Sequence, residues 1–135
     1  MMNEITLGKL FELYVNIFDK FGIYLLNETD EMLDYYVFEA TDINIGYCSR
    51  RILMRFLEEG LIDENIFENS LLFIKKFRKL ESTMLIRNAE SIRNSFEWMK
   101  LMELSDNIKN MIKTRWTNEE LQWIFKFEQS TNLNI

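Results

Sequence analysis

ITLGKLFELYVNIFDKF, residues 5–21, decides the fold class of this 135-residue chain. Leu7, Leu10, Phe11, Tyr14, Ile17, Phe18 and Phe21 recur at three- and four-residue steps, the period of a helix with a wide apolar stripe. Thr6 is placed to cap its start and Gly22 to end it, while Gly8 costs some helicity near the start. The same period returns downstream. Ile52, Leu53, Phe56 and Leu57 carry it from Ser49 to Glu59, and Gly60 closes that helix ahead of Leu61 and Ile62. Asp63 can cap a helix that runs to about Leu80 through Phe67, Leu71, Ile74 and Phe77. From about residue 89 one long pattern continues through Ile92, Phe96, Met99, Met102, Leu104, Ile108, Met111 and Ile112 to near Arg115. Thr117 and Glu120 form a capping box ahead of Leu121, Ile124 and Phe125.

The connections are short. Ile23–Leu26 reads as an extended connector, Thr41–Gly46 as a loop or one short strand, and Glu81–Asn88 as a turn. The tail from Glu128 is expected to fray. No proline interrupts the chain, which suits helices joined by tight loops. The expectation is an all-α fold, a single compact domain over residues 1–135 with about six or seven helices.

Charge is distributed unevenly. Residues 1–70 hold fourteen acids against five bases, and residues 71–135 hold eight acids against eleven bases. The acids concentrate in NETDEMLDYYVFEATDINIG, residues 27–46, within a span from Phe21 to Ser49 that has no Lys or Arg. At the 100° per residue of an α-helix, Met32, Leu33, Tyr36 and Val37 form one apolar face. Glu31, Asp34, Tyr35 and Phe38 then lie opposite, with Glu28, Asp30, Glu39 and Asp42 alongside. A helix that packs through one side and shows acids and aromatic rings on the other suits a basic protein partner. A solvated acidic face with Phe38 turned into a local core is the plainer alternative.

Composition removes several function classes. The chain has no histidine, which takes away the commonest general base, the commonest metal ligand and every Ser–His or Cys–His pair. Its four glycines are isolated, so no phosphate-cradling loop is present. Glu31/Asp34, Glu58/Glu59 and Glu119/Glu120 are paired carboxylates that read as surface charge. No catalytic residue, metal or cofactor is expected, and the chain is read as a non-enzyme. Cys48, the single cysteine, excludes an internal disulfide and reads as a buried structural thiol, although Arg50 and Arg51 beside it would lower its pKa if it were exposed. Tyr14, Trp98, Trp116 and Trp123 are assigned to packing by default. No apolar run is long enough to span a membrane, and a cytoplasmic location is expected.

The net charge of −6 disfavours nucleic-acid binding overall. The competing reading is a helical regulatory or nucleic-acid-binding domain. It would use Lys75, Lys76, Arg78 and Lys79, extended by Lys109, Lys113 and Arg115.

One further likeness rests on particular residues. They are the run Asp34-Tyr35-Tyr36-Val37-Phe38-Glu39-Ala40-Thr41-Asp42-Ile43-Asn44-Ile45-Gly46, then Asn69-Ser70, Glu97-Trp98, Leu104-Ser105-Asp106, and Trp116-Thr117-Asn118-Glu119-Glu120-Leu121. On these the chain resembles small bacterial immunity proteins of the contact-dependent growth-inhibition type. The resemblance implies a cytosolic non-enzyme that binds a cognate toxin domain tightly and neutralises it. Such toxins are often basic nucleases, which accords with the acidic first half. The expected contact residues are Glu28, Asp30, Glu31, Asp34, Tyr35, Phe38, Glu39 and Asp42.

Overall fold

The computed structural model describes residues 5–133. Its first helix, α1 (Leu7–Asp19), is the central one, and Thr6 caps it by accepting from the Lys9 amide at 3.1 Å. Burial follows the apolar stripe, with Leu7, Leu10, Phe11, Tyr14, Val15, Ile17 and Phe18 all withdrawn from solvent. Gly8 has a role that helix propensity alone does not show. A Cβ there would stand 2.5 Å from the Ile124 carbonyl oxygen, so only glycine admits the backbone of the C-terminal segment.

Rings link α1 to the later helices. Phe11 meets Phe56 edge-on at 5.1 Å, Phe18 meets Phe73 at 5.3 Å, and Phe21 meets Phe73 at 5.5 Å. Phe77 and Trp98 extend the series, edge to face at 5.5 Å. Each such pair contributes about 0.5–1.5 kcal/mol beyond the area it buries. The hydroxyls inside this core are satisfied: Tyr14 and Ser70 share a bond of 2.7 Å, and Ser105 donates to the Phe21 carbonyl.

The helices on which those rings sit start where the sequence marks them. Ser49 caps α4 (Arg50–Glu58), Asp63 caps α5 (Glu64–Thr83), and Thr117 with Glu120 forms both bonds of the capping box on α8 (Asn118–Ile124). Gly60 takes φ +74° after α4, and two bonds complete the stop, Gly60 N–H to Leu57 and Leu61 N–H to Phe56. The long pattern from residue 89 is two helices. α6 (Ala89–Arg93) ends at Asn94, and Ser95 caps a fresh start for α7 (Phe96–Arg115). α5 and α7 lie antiparallel. The C-terminal Leu80 and Thr83 of α5 share a cleft with the N-terminal Phe96 and Lys100 of α7. At the other end, Asn65 donates to the Met111 sulfur.

The connectors depart from the sequence reading. Ile23–Asn27 is a 3-10 turn, because Gly22 admits the Asp106 carboxylate, which accepts from the Ile23 amide at 3.1 Å and holds the chain wound. Thr41–Gly46 is neither loop nor strand. Residues 30–48 form one unbroken helical run: α2 (Asp30–Asp34), a π-helical stretch (Tyr35–Thr41), α3 (Asp42–Asn44), and a closing 3-10 turn (Ile45–Cys48). Counted as one element, that run brings the described residues to seven helices beside the Ile23–Asn27 turn. They form no strand, only an isolated bridge between Thr6 and Ser130. One continuous core serves the described residues.

Candidate protein-binding surface

The acidic run begins with Thr29, which caps α2 by accepting from the Met32 amide at 3.2 Å. Asp30 and Glu31 occupy the first turn, where carboxylates suit the helix dipole. Beyond them the winding changes. Four residues of α-helix overshoot a full circle by about 40°, so residues four apart drift off a common face. A π-helical turn is wider and undershoots, and the mixture here averages about four residues per turn. Thr41 fits this winding, its hydroxyl donating to the Tyr36 carbonyl five residues back at 2.6 Å.

The result is four separate columns at about quarter-turn intervals. Leu33, Val37, Thr41 and Ile45 face inward and are buried. Glu31, Tyr35, Glu39 and Ile43 face outward and are exposed, Ile43 at 76%. One flank, Met32, Tyr36, Ala40 and Asn44, turns toward α1, where Ala40 and Asn44 share a small cleft with Leu13, Ile17 and Lys20. The other flank, Asp30, Asp34, Phe38 and Asp42, turns toward α5, α6 and α7.

This geometry corrects the division expected from an ideal α-helix. Phe38 is half-buried with its ring 6.4 Å from that of Trp98, edge to face, and is a packing residue. Met32 belongs partly to solvent, at 37% exposure, instead of holding the helix to the core. Asp30 stays exposed but is paired: Arg93 at the end of α6 donates to it at 2.9 Å and also to the carbonyls of Leu26 and Glu28. One guanidinium thus binds the 3-10 turn to the start of α2. The Glu28 carboxylate remains exposed. Asp34 is half-buried, with one oxygen out of solvent and no hydrogen-bond partner among the described residues. Asp42, also half-buried, faces Glu81 of α5. Loss of hydration, then the hydrogen bond and charge of Asp42, push the Glu81 carboxyl up, while Arg87 and Arg78 oppose the rise.

Of the eight expected contact residues, Glu31, Tyr35 and Glu39 stand together facing outward, and Glu28 is exposed at the entry to the run. Ile43, which sequence reasoning missed, completes the outward column. Its signal was the four-residue spacing from Glu31, legible only once the winding is known. Tyr35 stacks edge-on with Tyr36 at 5.4 Å, which steadies its ring in the exposed position. Nearby Tyr24 donates to the Asp19 carbonyl, and its phenol is pushed up to about 12, by burial first and then by Tyr36 and surrounding acids.

The basic residues of the competing reading do not form one track. Lys109 pairs with Asp19 at 3.6 Å, and Arg115 donates to the Gly60 carbonyl at 2.8 Å beside Asp63. Those two hold the fold. They also lie at the opposite end of the antiparallel pair from Lys75–Lys79, about 15–20 Å along the helix axis. Cys48 is fully buried and its thiol is pushed up by that burial, with Arg78 opposing, so the neighbouring Arg50 and Arg51 do not activate it. Trp98 is a core ring, and Trp116 donates to the Leu61 carbonyl at 2.8 Å, whereas Trp123 and Phe96 are exposed at 75% and 65% against expectation. Among the described residues no group of three or more acids and thiols is arranged to hold a metal ion. No helix among them is long and apolar enough to cross a membrane.

No protein-family model matches the chain, and comparison with curated proteins and with solved structures returns no match.

Several residues on which the immunity-protein resemblance rests have structural work in this fold. Ser70 bonds Tyr14, Ser105 bonds Phe21, Asp106 bonds Ile23, Trp98 fills the core, and Thr117 and Glu120 cap α8.

Proposed function

We propose that the chain is a non-enzymatic, protein-binding inhibitor of the immunity type, neutralising a cognate toxin domain through the outward column Glu31, Tyr35, Glu39 and Ile43. The observation that carries this reading is that column itself. It presents two carboxylates without an internal ion pair among the described residues, alternating with an exposed ring and an exposed aliphatic side chain. The carboxylates raise the encounter rate with a basic partner, and Tyr35 and Ile43 supply area to be buried once contact is made. A basic nuclease domain has the matching charge.

The test is a side-by-side capture with wild-type chain and the E31K/E39K variant as baits, followed by association kinetics on the retained protein. One basic protein is expected on the wild-type bait, with association slowed about tenfold or more in the variant at low salt and a flatter salt dependence. Both substitutions sit on exposed positions, so the fold is retained. Equal capture and equal rates would remove the acidic column from the mechanism.

A further inference from the structure

A second surface is built from the part of the sequence where bases outnumber acids. Between the C-terminal half of α5 and the N-terminal half of α7 runs a groove of two adjoining clefts of about 380 Å³ and 340 Å³, sharing Leu80, Thr83 and Glu97. Apolar side chains stand open around it: Leu85 is fully exposed, and Ile86 and Phe96 are 64% and 65% exposed. Three ammonium groups, from Lys76, Lys79 and Lys100, line the same groove. Lys76 and Lys79 have no ion pair among the described residues. Lys100 lies over the Phe96 ring at 5.1 Å and reaches Glu103 at 3.4 Å.

A largely apolar floor with three lysines against the one carboxylate of Glu97 leaves the rim net cationic and has a definite complement. We infer that this groove docks an acidic segment of a partner protein, a peptide with apolar anchors spaced among Asp or Glu. Leu80, Leu85, Ile86 and Phe96 would cover the anchors, and the three lysines would pair with the acids. A nucleic acid fits less well, because three lysines in one short groove offer no extended cationic track, and a phosphate backbone gains nothing from an apolar floor. A flat anionic membrane cannot follow a concavity. The groove is built from residues 76–101 and shares no residue with the outward acidic column, so the inference stands whether or not that column binds a toxin.

A displayed library of short random peptides, panned on the full chain, tests the docking surface. The expected result is enrichment of peptides that combine acids with spaced apolar residues. Their affinity should fall about tenfold or more on the K76E/K79E variant, and also on L85S/I86S, while circular dichroism stays unchanged. Lys76, Lys79, Leu85 and Ile86 are all exposed, so neither variant threatens folding. Enriched peptides without acids, no enrichment, or equal binding to both variants would overturn the assignment. Tighter salt-sensitive binding of single-stranded DNA or of phosphatidylserine vesicles at the same lysines would also overturn it, in favour of a phosphate-bearing ligand.

Discussion

Between α5 and α7 the contact is made by rings and branched side chains that have no alternative but burial. Residues 30–48, although just as continuously helical, add polar ties to their buried column of Leu33, Val37 and Ile45: along one flank Arg93 and a carboxyl pair stand beside the ring of Phe38. The first pair winds regularly for twenty residues in each helix, whereas the second shifts from α to π winding and back. The difference shows where each part of the fold draws its strength. Apolar packing carries no titratable group and is not screened by salt, whereas polar ties between charges are. The polar flank of the acidic run is therefore the contact that answers to conditions, while its buried column shares the common core.

The largest effect expected belongs to the apolar side. Trp98→Ala removes a ring that Phe77, Phe21 and Phe38 all touch, and should cost about 3–5 kcal/mol in urea denaturation. A loss near the level of an ordinary surface substitution would show that the ring is not part of the shared core. Next comes Arg93→Ala, which frees two carbonyls and Asp30 at once. Because the side chain is partly exposed, about 1–2 kcal/mol is expected. Hydrogen exchange separates this from a global effect: protection should fall across residues 26–34 and stay level in α5 and α7. A uniform fall would mean the two regions are not distinct in stability.

The smallest effect is a slope. Glu81 holds its proton in the folded state above its ordinary value of 4.5, so the folded protein binds more protons than the unfolded one in that window. The stability tied to Glu81 is complete below the unfolded value and is lost as pH rises through the folded one. Asp42→Asn removes the neighbouring negative charge and should flatten that decline. Chemical denaturation between about pH 4 and pH 7 measures it, and identical slopes in both proteins would show that Asp42 does not act on Glu81.

Most of the fold was legible because the signals were local. Thr6, Asp63, Thr117 with Glu120, and Gly60 each mark a helix end through bonds that span three to five residues, and each does so in the structure. The break at Asn94 was hidden because Ile92 and Phe96 keep a helical spacing across it, although Ser95 is itself a good cap. Phe96 therefore faces solvent instead of the core. The π-helical stretch was not legible at all. Its cause is tertiary, the need to keep Leu33, Val37, Thr41 and Ile45 on one face, and the polar Thr41 concealed that column in the sequence. Phe38 was misplaced for the same reason, since a step of 100° in place of about 90° carries it off its flank.

A helix with a whole number of residues per turn keeps its columns from mixing. In an ordinary helix each new turn slides past the last, so a change on one face soon borders another. Along residues 30–45 the inward, outward and two flanking tracks run parallel for about four turns. Selection can then rewrite Glu31, Tyr35, Glu39 and Ile43 as a set while the contacts of Arg93, Trp98 and Glu81 go on undisturbed. The winding leaves the proposed contact column and the packing columns free to change separately within a single stretch of chain.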